Sequence, residues 1–452
     1  MVESATKAPP QKSRTIAAIS VIALAVSGLF LAFVPSQITS LLFAACEVLV
    51  ISIIIWQACD PFAEAAQFLG ERYRIPGSVR GATLDAVAGS LPELFTGIFF
   101  VVIAISAIDQ SAVSVAEAGA EGFGATVATC AGSAVYNMIL IPAICVLVIS
   151  YSRPSHPTIE VESKVISRDG LWFLGCELVV VFFLFQPALS WWMAIVLLAL
   201  YCGYILQLTA DARTYRKARQ TVQEVLRSRQ HVDTDSIINT LHSSGIRPSL
   251  SLIQQLRRES EQNYEAEQQP VAADCFLGMF SVTLTTLKAW ALIVGCTVIA
   301  AIACYWLVEV TRSTSATLGV PIFFLAVIVA AAASSVPDTF LSIGAAQRGD
   351  DDGAVSNAFG SNIFDICVCL SIPLLINAYL NQWQPVPLVI DGQPIRGLAG
   401  LRLLLCVFTL ATLLMMWQNR QLTRGKAIVL IAFYALFVTY AVLGALDLLP
   451  GV

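Results

Sequence analysis

Charge is what this chain has least of: only 13% of its 452 residues are Asp, Glu, Lys or Arg. A soluble protein of that length carries roughly a quarter. With 57% hydrophobic residues, the surplus apolar surface needs lipid rather than a larger core. The one basic cluster lies in a single polar stretch, which gives a nucleic-acid role no support. Histidine is also scarce: His156, His231 and His242 all fall in polar stretches. A zinc carrier or an imidazole relay needs histidines at membrane depth. Their absence points to a hard cation held by oxygen. The 12 cysteines lie in or beside apolar segments without zinc-site spacing. Cys367 and Cys369 are too close for a CxxC motif, and the cysteines read as small buried hydrophobes.

Long apolar runs, by contrast, are plentiful. Windows able to span a bilayer fall near 15–34, 37–66, 77–107, 123–151, 170–187 and 189–209, then 284–310, 318–347, 353–379, 400–417 and 426–448. The expected fold is all-α: a polytopic membrane protein of two inverted five-helix repeats plus one extra N-terminal apolar helix. The divisions are 1–36, an anchor or signal segment; 37–209, the first repeat; 210–283, a linker loop; and 284–452, the second repeat. The loop reads as helical from Thr214 to Arg229. Beyond that it reads as a solvated linker or as a regulatory, membrane-surface helix.

Basic residues in the connections set the orientation. Arg72, Arg74 and Arg80 share a side with Arg153, Lys164, Arg168, Arg420, Arg424 and Lys426, and with Arg213 to Arg229 of the loop. The connection at 108–122 carries Asp109, Glu117 and Glu121 instead, while Arg396 and Arg402 disagree. The loop is thus expected to be cytoplasmic. By parity the Glu93 helix runs outward and the Asp338 helix inward, so the two are related by an axis in the membrane plane.

Those two helices carry one pattern written twice. Gly89-Ser90-Leu91-Pro92-Glu93 is followed by Gly132-Ser133-Ala134-Val135-Tyr136-Asn137. Ser334-Ser335-Val336-Pro337-Asp338 is followed by Gly360-Ser361-Asn362-Ile363-Phe364-Asp365. A charge at bilayer depth costs about 2.5–3.5 kcal/mol on insertion scales, so each acid marks a functional site. Each proline removes a backbone donor and is expected to kink or break its helix. The carbonyls so freed are tolerable only around a cavity or an ion. Carboxylate, hydroxyl and carbonyl oxygens together suit Ca²⁺ or Na⁺. Asp365 follows Ser361, and Asn137 follows Ser133, by four residues on one helical face. Three carboxylates and one amide repel unless cations neutralise them, which favours a divalent ion or several monovalent ones. Gly132, Gly360, Ala131, Ala134 and Ala358 let helices approach closely.

Other acids carry less. Asp85 is a vestibule ligand or an interfacial residue, and Glu47, Asp60 and Glu177 read as secondary or network positions. Asp350, Asp351 and Asp352 read as a solvated turn.

The second copy, SSVPDTFLSIGAAQRGDDDGAVSNAFGSNIFDI at 334–366, resembles an alpha-repeat of the cation/Ca²⁺ exchanger superfamily, most of all its potassium-dependent sodium/calcium exchangers. CDPF at 59–62, GSAVYN at 132–137, SRDG at 167–170, Trp191-Trp192 and YCGY at 201–204 are similar to the same branch. The resemblance implies ten core helices and Na⁺-driven Ca²⁺ antiport. It assigns cation ligation to Glu93, Asn137, Asp338 and Asp365, with supporting hydroxyls from Ser90, Ser133, Ser334, Ser335 and Ser361. An acid at the Asp365 position accompanies K⁺ co-transport in some members of that family. The chain departs from the pattern at Ala88-Gly89-Ser90, where a hydroxyl is missing, at Ala333 in place of glycine, at Asp85 in place of an apolar residue, and in a longer 108–122 connection. These changes bear on Na⁺ stoichiometry and affinity.

The expected function is therefore secondary antiport of Ca²⁺ against Na⁺, with K⁺ co-transport left open. H⁺/Ca²⁺ or other divalent exchange is the alternative, ahead of a cation channel or a sensor. No enzymatic step and no cofactor is expected. The partners are the transported ions and the bilayer, either the plasma membrane or an internal one, with oligomeric state open.

Overall fold

The computed structural model describes residues 37–73, 86–107, 114–228 and 272–448, with short gaps, and a few isolated positions before 37 and at 83–84. Most of the extra N-terminal segment, Asp85, and the linker from 229 to 271 lie outside the described residues.

Helices account for nearly all of what is described. The first half contains α1 (Gln37–Arg72), α2 (Ala86–Ser106), α3 (Val115–Val135), α4 (Ile141–Ser152), α5 (Leu171–Leu184) and α6 (Trp191–Ser228). The second half contains α7 (Thr286–Leu318), α8 (Ile322–Leu325), α9 (Ala331–Ser334), α10 (Val336–Gln347), α11 (Asp351–Phe364), α12 (Ser371–Leu380), α13 (Leu398–Trp417) and α14 (Arg424–Ala445). Among the described residues, eight helices, or nine counting one bent pair, are long and apolar enough to cross a membrane. A further segment, α5, has 14 residues and is preceded directly by the wide turn Ile166–Gly170. These ten segments lie at the ten windows expected beyond residue 36. The described residues are mostly helical, and the chain is a multi-pass membrane protein.

Wide, π-type turns join several of these helices. Tyr136–Leu140 links α3 to α4, Ala326–Ala330 links α8 to α9, and Asp365–Cys369 lies between α11 and α12. Such insertions shift the side-chain register and occur often at functional sites.

The two prolines behave differently. Pro337 is the second residue of α10, where the fixed φ of proline suits a helix start. Just before it, Ser335 leaves helical geometry (φ −85°, ψ 2°), and the two halves meet at 41°. Pro92 was expected to kink or break α2 as well; the helix does not break there and is continuous from Ala86 to Ser106. Proline removes only one N–H, here the donor to the carbonyl of Ala88, and the bonds on either side persist.

Packing then brings the copies together. Gly132 of α3 sits so close to the turn at 326–330 that a Cβ there would fall 2.2 Å from the Val327 carbonyl oxygen. Short antiparallel pairs tie loops outside the helices, such as Ile159–Glu160 with Gln421–Leu422.

Candidate functional site

The four central side chains come from four elements: Glu93 from α2, Asn137 from the turn after α3, Asp338 from α10, and Asp365 from the turn after α11. All four are fully buried.

Hydroxyls connect them. Ser133 Oγ is 3.2 Å from Glu93 Oε1 and 3.0 Å from Asp365 Oδ2. Ser335 Oγ is 3.2 Å from Glu93 Oε1 and 2.9 Å from Ser133 Oγ. Asp338 accepts on both oxygens, from Asn137 Nδ2 at 3.1 Å and from Ser361 Oγ at 2.9 Å. Asn137 Nδ2 also reaches Ser133 Oγ at 3.3 Å. One network thus runs from Glu93 to Asp365 and to Asp338, through residues of both copies.

Two further expected hydroxyls, Ser90 and Ser334, adjoin the same acids. Ser90 Oγ donates to the Ser361 carbonyl at 3.4 Å, which links the copies, and it is also within reach of the Asp365 carboxylate. Ser334 Oγ donates back to the Ala331 carbonyl of its own helix at 3.2 Å and is also within reach of the Glu93 carboxylate.

Electrostatics make the arrangement unusual for a structural core. Buried carboxylates are ordinarily paired with a cation or coordinate a metal. The ion pairs seen among the described residues, Arg153–Asp351 and Arg168–Asp169, lie elsewhere. Glu93 Oε2 and Asn137 Oδ1 are buried acceptors without a hydrogen-bond partner. Each such oxygen is costly unless something positive fills it. Among the described residues no three His, Cys, Asp or Glu side chains converge enough to hold a metal alone. Hydroxyls and the amide stand between the acids, so a cation would draw on the mixed oxygen set.

Gly89 explains one departure from the expected pattern. A Cβ there would fall 1.8 Å from Asp338 Oδ1, so the carboxylate occupies the space a side chain would need.

The other acids separate cleanly. Glu177 is buried on α5 and accepts from Thr409 of α13 at 3.0 Å, outside the network. Glu47 and Asp60 are half-buried on α1. Asp351 is not merely solvated, as its turn-like sequence suggested: it pairs with Arg153 at 2.6 Å and accepts from the Glu160 N–H at 3.1 Å. That pairing exists because the ends of α4 and α11 meet there.

Sequence reasoning missed three features. Cys369 Sγ lies 3.7 Å from Asp365 Oδ1 and 3.6 Å from the Ser90 carbonyl. The wide turns at Asn137 and Asp365 leave no mark in residue type. Arg168 and Asp169 form a buried bidentate pair at 2.6 and 2.9 Å, with Tyr204 and Ser356 also on Asp169. Adjacent opposite charges look the same in sequence whether buried or interfacial.

The family described as sodium/calcium exchanger protein matches residues 43–210 and 288–443, well over half of the chain. Sodium/potassium/calcium exchanger 1 of Mus musculus is 38% identical over 88 residues, 20% of this chain and 8% of that protein. Sodium/potassium/calcium exchanger 4 of Mus musculus is 30% identical over 165 residues, 36% of this chain and 24% of that protein. The chain therefore spans less than a quarter of the length of these relatives. Among solved structures, the crystal structure of an H⁺/Ca²⁺ exchanger, CAX, shares the fold with a TM-score of 0.57 at 14% identity, over 97% of this chain and 93% of that one. The sodium-calcium exchanger NCX_Mj, soaked with 10 mM Na⁺ and 10 mM Sr²⁺, gives 0.50 at 16% identity over 88% and 97%.

Proposed function

From the premise that the chain belongs to the sodium/calcium exchanger family, we propose that it is a secondary antiporter that moves Ca²⁺ against Na⁺, with K⁺ travelling alongside Ca²⁺. Glu93 and Asp338 hold Ca²⁺ at the centre, with Asn137, Ser133, Ser335 and Ser361 completing the oxygen set and Ser90 and Ser334 in support. Asp365 adds the third negative charge and carries the K⁺ dependence. In the same reading, 37–209 and 284–452 are inverted five-helix repeats, and 210–283 is cytoplasmic.

The observation that carries this reading is the single buried network uniting Glu93 and Asp338, with unfilled acceptor oxygens and, among the described residues, no basic partner. Its chemistry explains exchange. A site with this much uncompensated negative charge is stable only when filled, so removing one cation must be matched by another before the site reorients. Alternation then follows from one repeat rocking against the other around fixed ligands.

Ca²⁺ flux in proteoliposomes, with Na⁺, K⁺ and pH gradients imposed independently, tests it. An outward Na⁺ gradient alone should drive Ca²⁺ uptake uphill. Uptake that follows the pH gradient alone would establish H⁺/Ca²⁺ exchange instead, and flux that never runs uphill would indicate a channel.

A further inference from the structure

A hairpin immediately before α7 takes no part in the ion site. Ala272–Cys275 pairs antiparallel with Phe280–Thr283 across a four-residue turn, Phe276–Met279. Phe276, Leu277 and Gly278 all adopt left-handed backbone angles (φ 54°, 57° and 74°), and the Met279 N–H donates to the Phe276 carbonyl at 3.1 Å. Turns that face water favour Gly, Asn, Asp, Ser and Pro. Here the tip is nearly all apolar, and Phe276, Met279 and Phe280 are 54%, 54% and 64% exposed.

The neighbours of the hairpin fix its depth. At its base, Ala273 and Leu284 are buried together with Ala65 and Leu69 of α1 and Ala289 of α7. Further along, the Asp274 N–H donates to Glu64 Oε2 at 2.8 Å, and the Leu277 N–H donates to Gln57 Oε1. The strand thus descends along α1 from the level of Glu64 to that of Gln57, about 10 Å at 1.5 Å per helical residue. Gln57 lies within the apolar span Thr39–Gly70. Exposed Trp290 and Lys288, beside the base, are the residue types that gather at the headgroup level. The tip lies deeper than they do.

Backbone chemistry agrees. Irregular chain enters hydrocarbon only when its polar groups are satisfied within the protein, and an open strand edge is the usual obstacle. Glu64 and Gln57 of α1 take up two edge donors of this hairpin.

We propose that this hairpin is a lipid-inserted wedge. Phe276, Met279 and Phe280 dock among phospholipid acyl chains of the leaflet on the side of the 210–283 stretch, fastening α1 and α7 to the bilayer. The claim is independent of which ions are exchanged.

The test uses the full chain in phosphatidylcholine–phosphatidylethanolamine vesicles, with the photoreactive residue p-benzoylphenylalanine replacing Phe276 or Phe280. After irradiation, peptides covering 272–288 should carry phospholipid adducts in both variants. Cross-links to other parts of the chain, or no adduct in either, would overturn the proposal. Hydroxyl-radical labelling of the unaltered chain in the same vesicles gives a second reading that needs no variant. Loss of oxidation at Met279 supports insertion, and oxidation at the rate of a water-exposed methionine refutes it.

Discussion

Asn137 Nδ2 donates to Asp338 Oδ2 at 3.1 Å, so an amide from the first copy of the pattern holds an acid from the second. The residues are 201 positions apart in the chain. A duplication that kept its halves separate would have no such bond. It ties the geometry of each half-site to the occupancy of the other, and the predictions below follow from that coupling.

Neutralising either central acid should stop transport without unfolding the chain. Glu93→Gln and Asp338→Asn each keep the volume and part of the hydrogen bonding, yet remove one negative charge. Ligand charge moves Ca²⁺ affinity by orders of magnitude, so Ca²⁺ flux should fall more than about tenfold. Flux in proteoliposomes, beside an unchanged gel-filtration profile, checks this.

Asp365→Asn should behave differently. Ser133 Oγ can still donate to the amide oxygen of the new side chain, preserving the contact now made at 3.0 Å. Ca²⁺ movement should persist while its response to K⁺ flattens. An unaltered K⁺ titration would remove Asp365 from that role.

Gly89→Ala should damage the site through space rather than charge. The added Cβ would sit 1.8 Å from Asp338 Oδ1, so the carboxylate must move and its bonds to Asn137 and Ser361 must stretch. Overpacking of this kind costs about 1–3 kcal/mol. A lower Tm together with weaker Ca²⁺ activation of flux is expected.

Ca²⁺ itself should stabilise the folded chain. A ligand at 100 times its Kd adds about 2.7 kcal/mol, so the Tm of the purified protein should rise with Ca²⁺. In Glu93→Gln the rise should vanish. Equal shifts in both proteins would place the binding elsewhere.

How much of this was readable beforehand depends on the scale of the signal. The ten apolar segments from α1 to α14 were legible because burial in lipid acts on about twenty residues at once. Glu93 and Asp338 stood out because an acid beside a proline in such a segment is expensive and needs a reason. The break at Ser335 followed from Pro337, whereas the helix does not break at Pro92, because one missing donor does not decide whether flanking bonds hold. The wide turns at Asn137 and Asp365 were invisible, since they depend on packing between helices rather than residue type. Asp351 was misread for the same reason: its partner Arg153 arrives from a distant part of the chain.

The central claim is that Glu93 and Asp338 belong to one cation site rather than to two. Equilibrium ⁴⁵Ca²⁺ binding to the purified wild type, Glu93→Gln, Asp338→Asn and the double variant addresses it directly, since residues sharing a ligand couple strongly and distant ones add. The account predicts that each single variant loses the site and that the double variant loses nothing more. Half of the bound Ca²⁺ remaining in each single variant, with the rest lost only in the double, would contradict it.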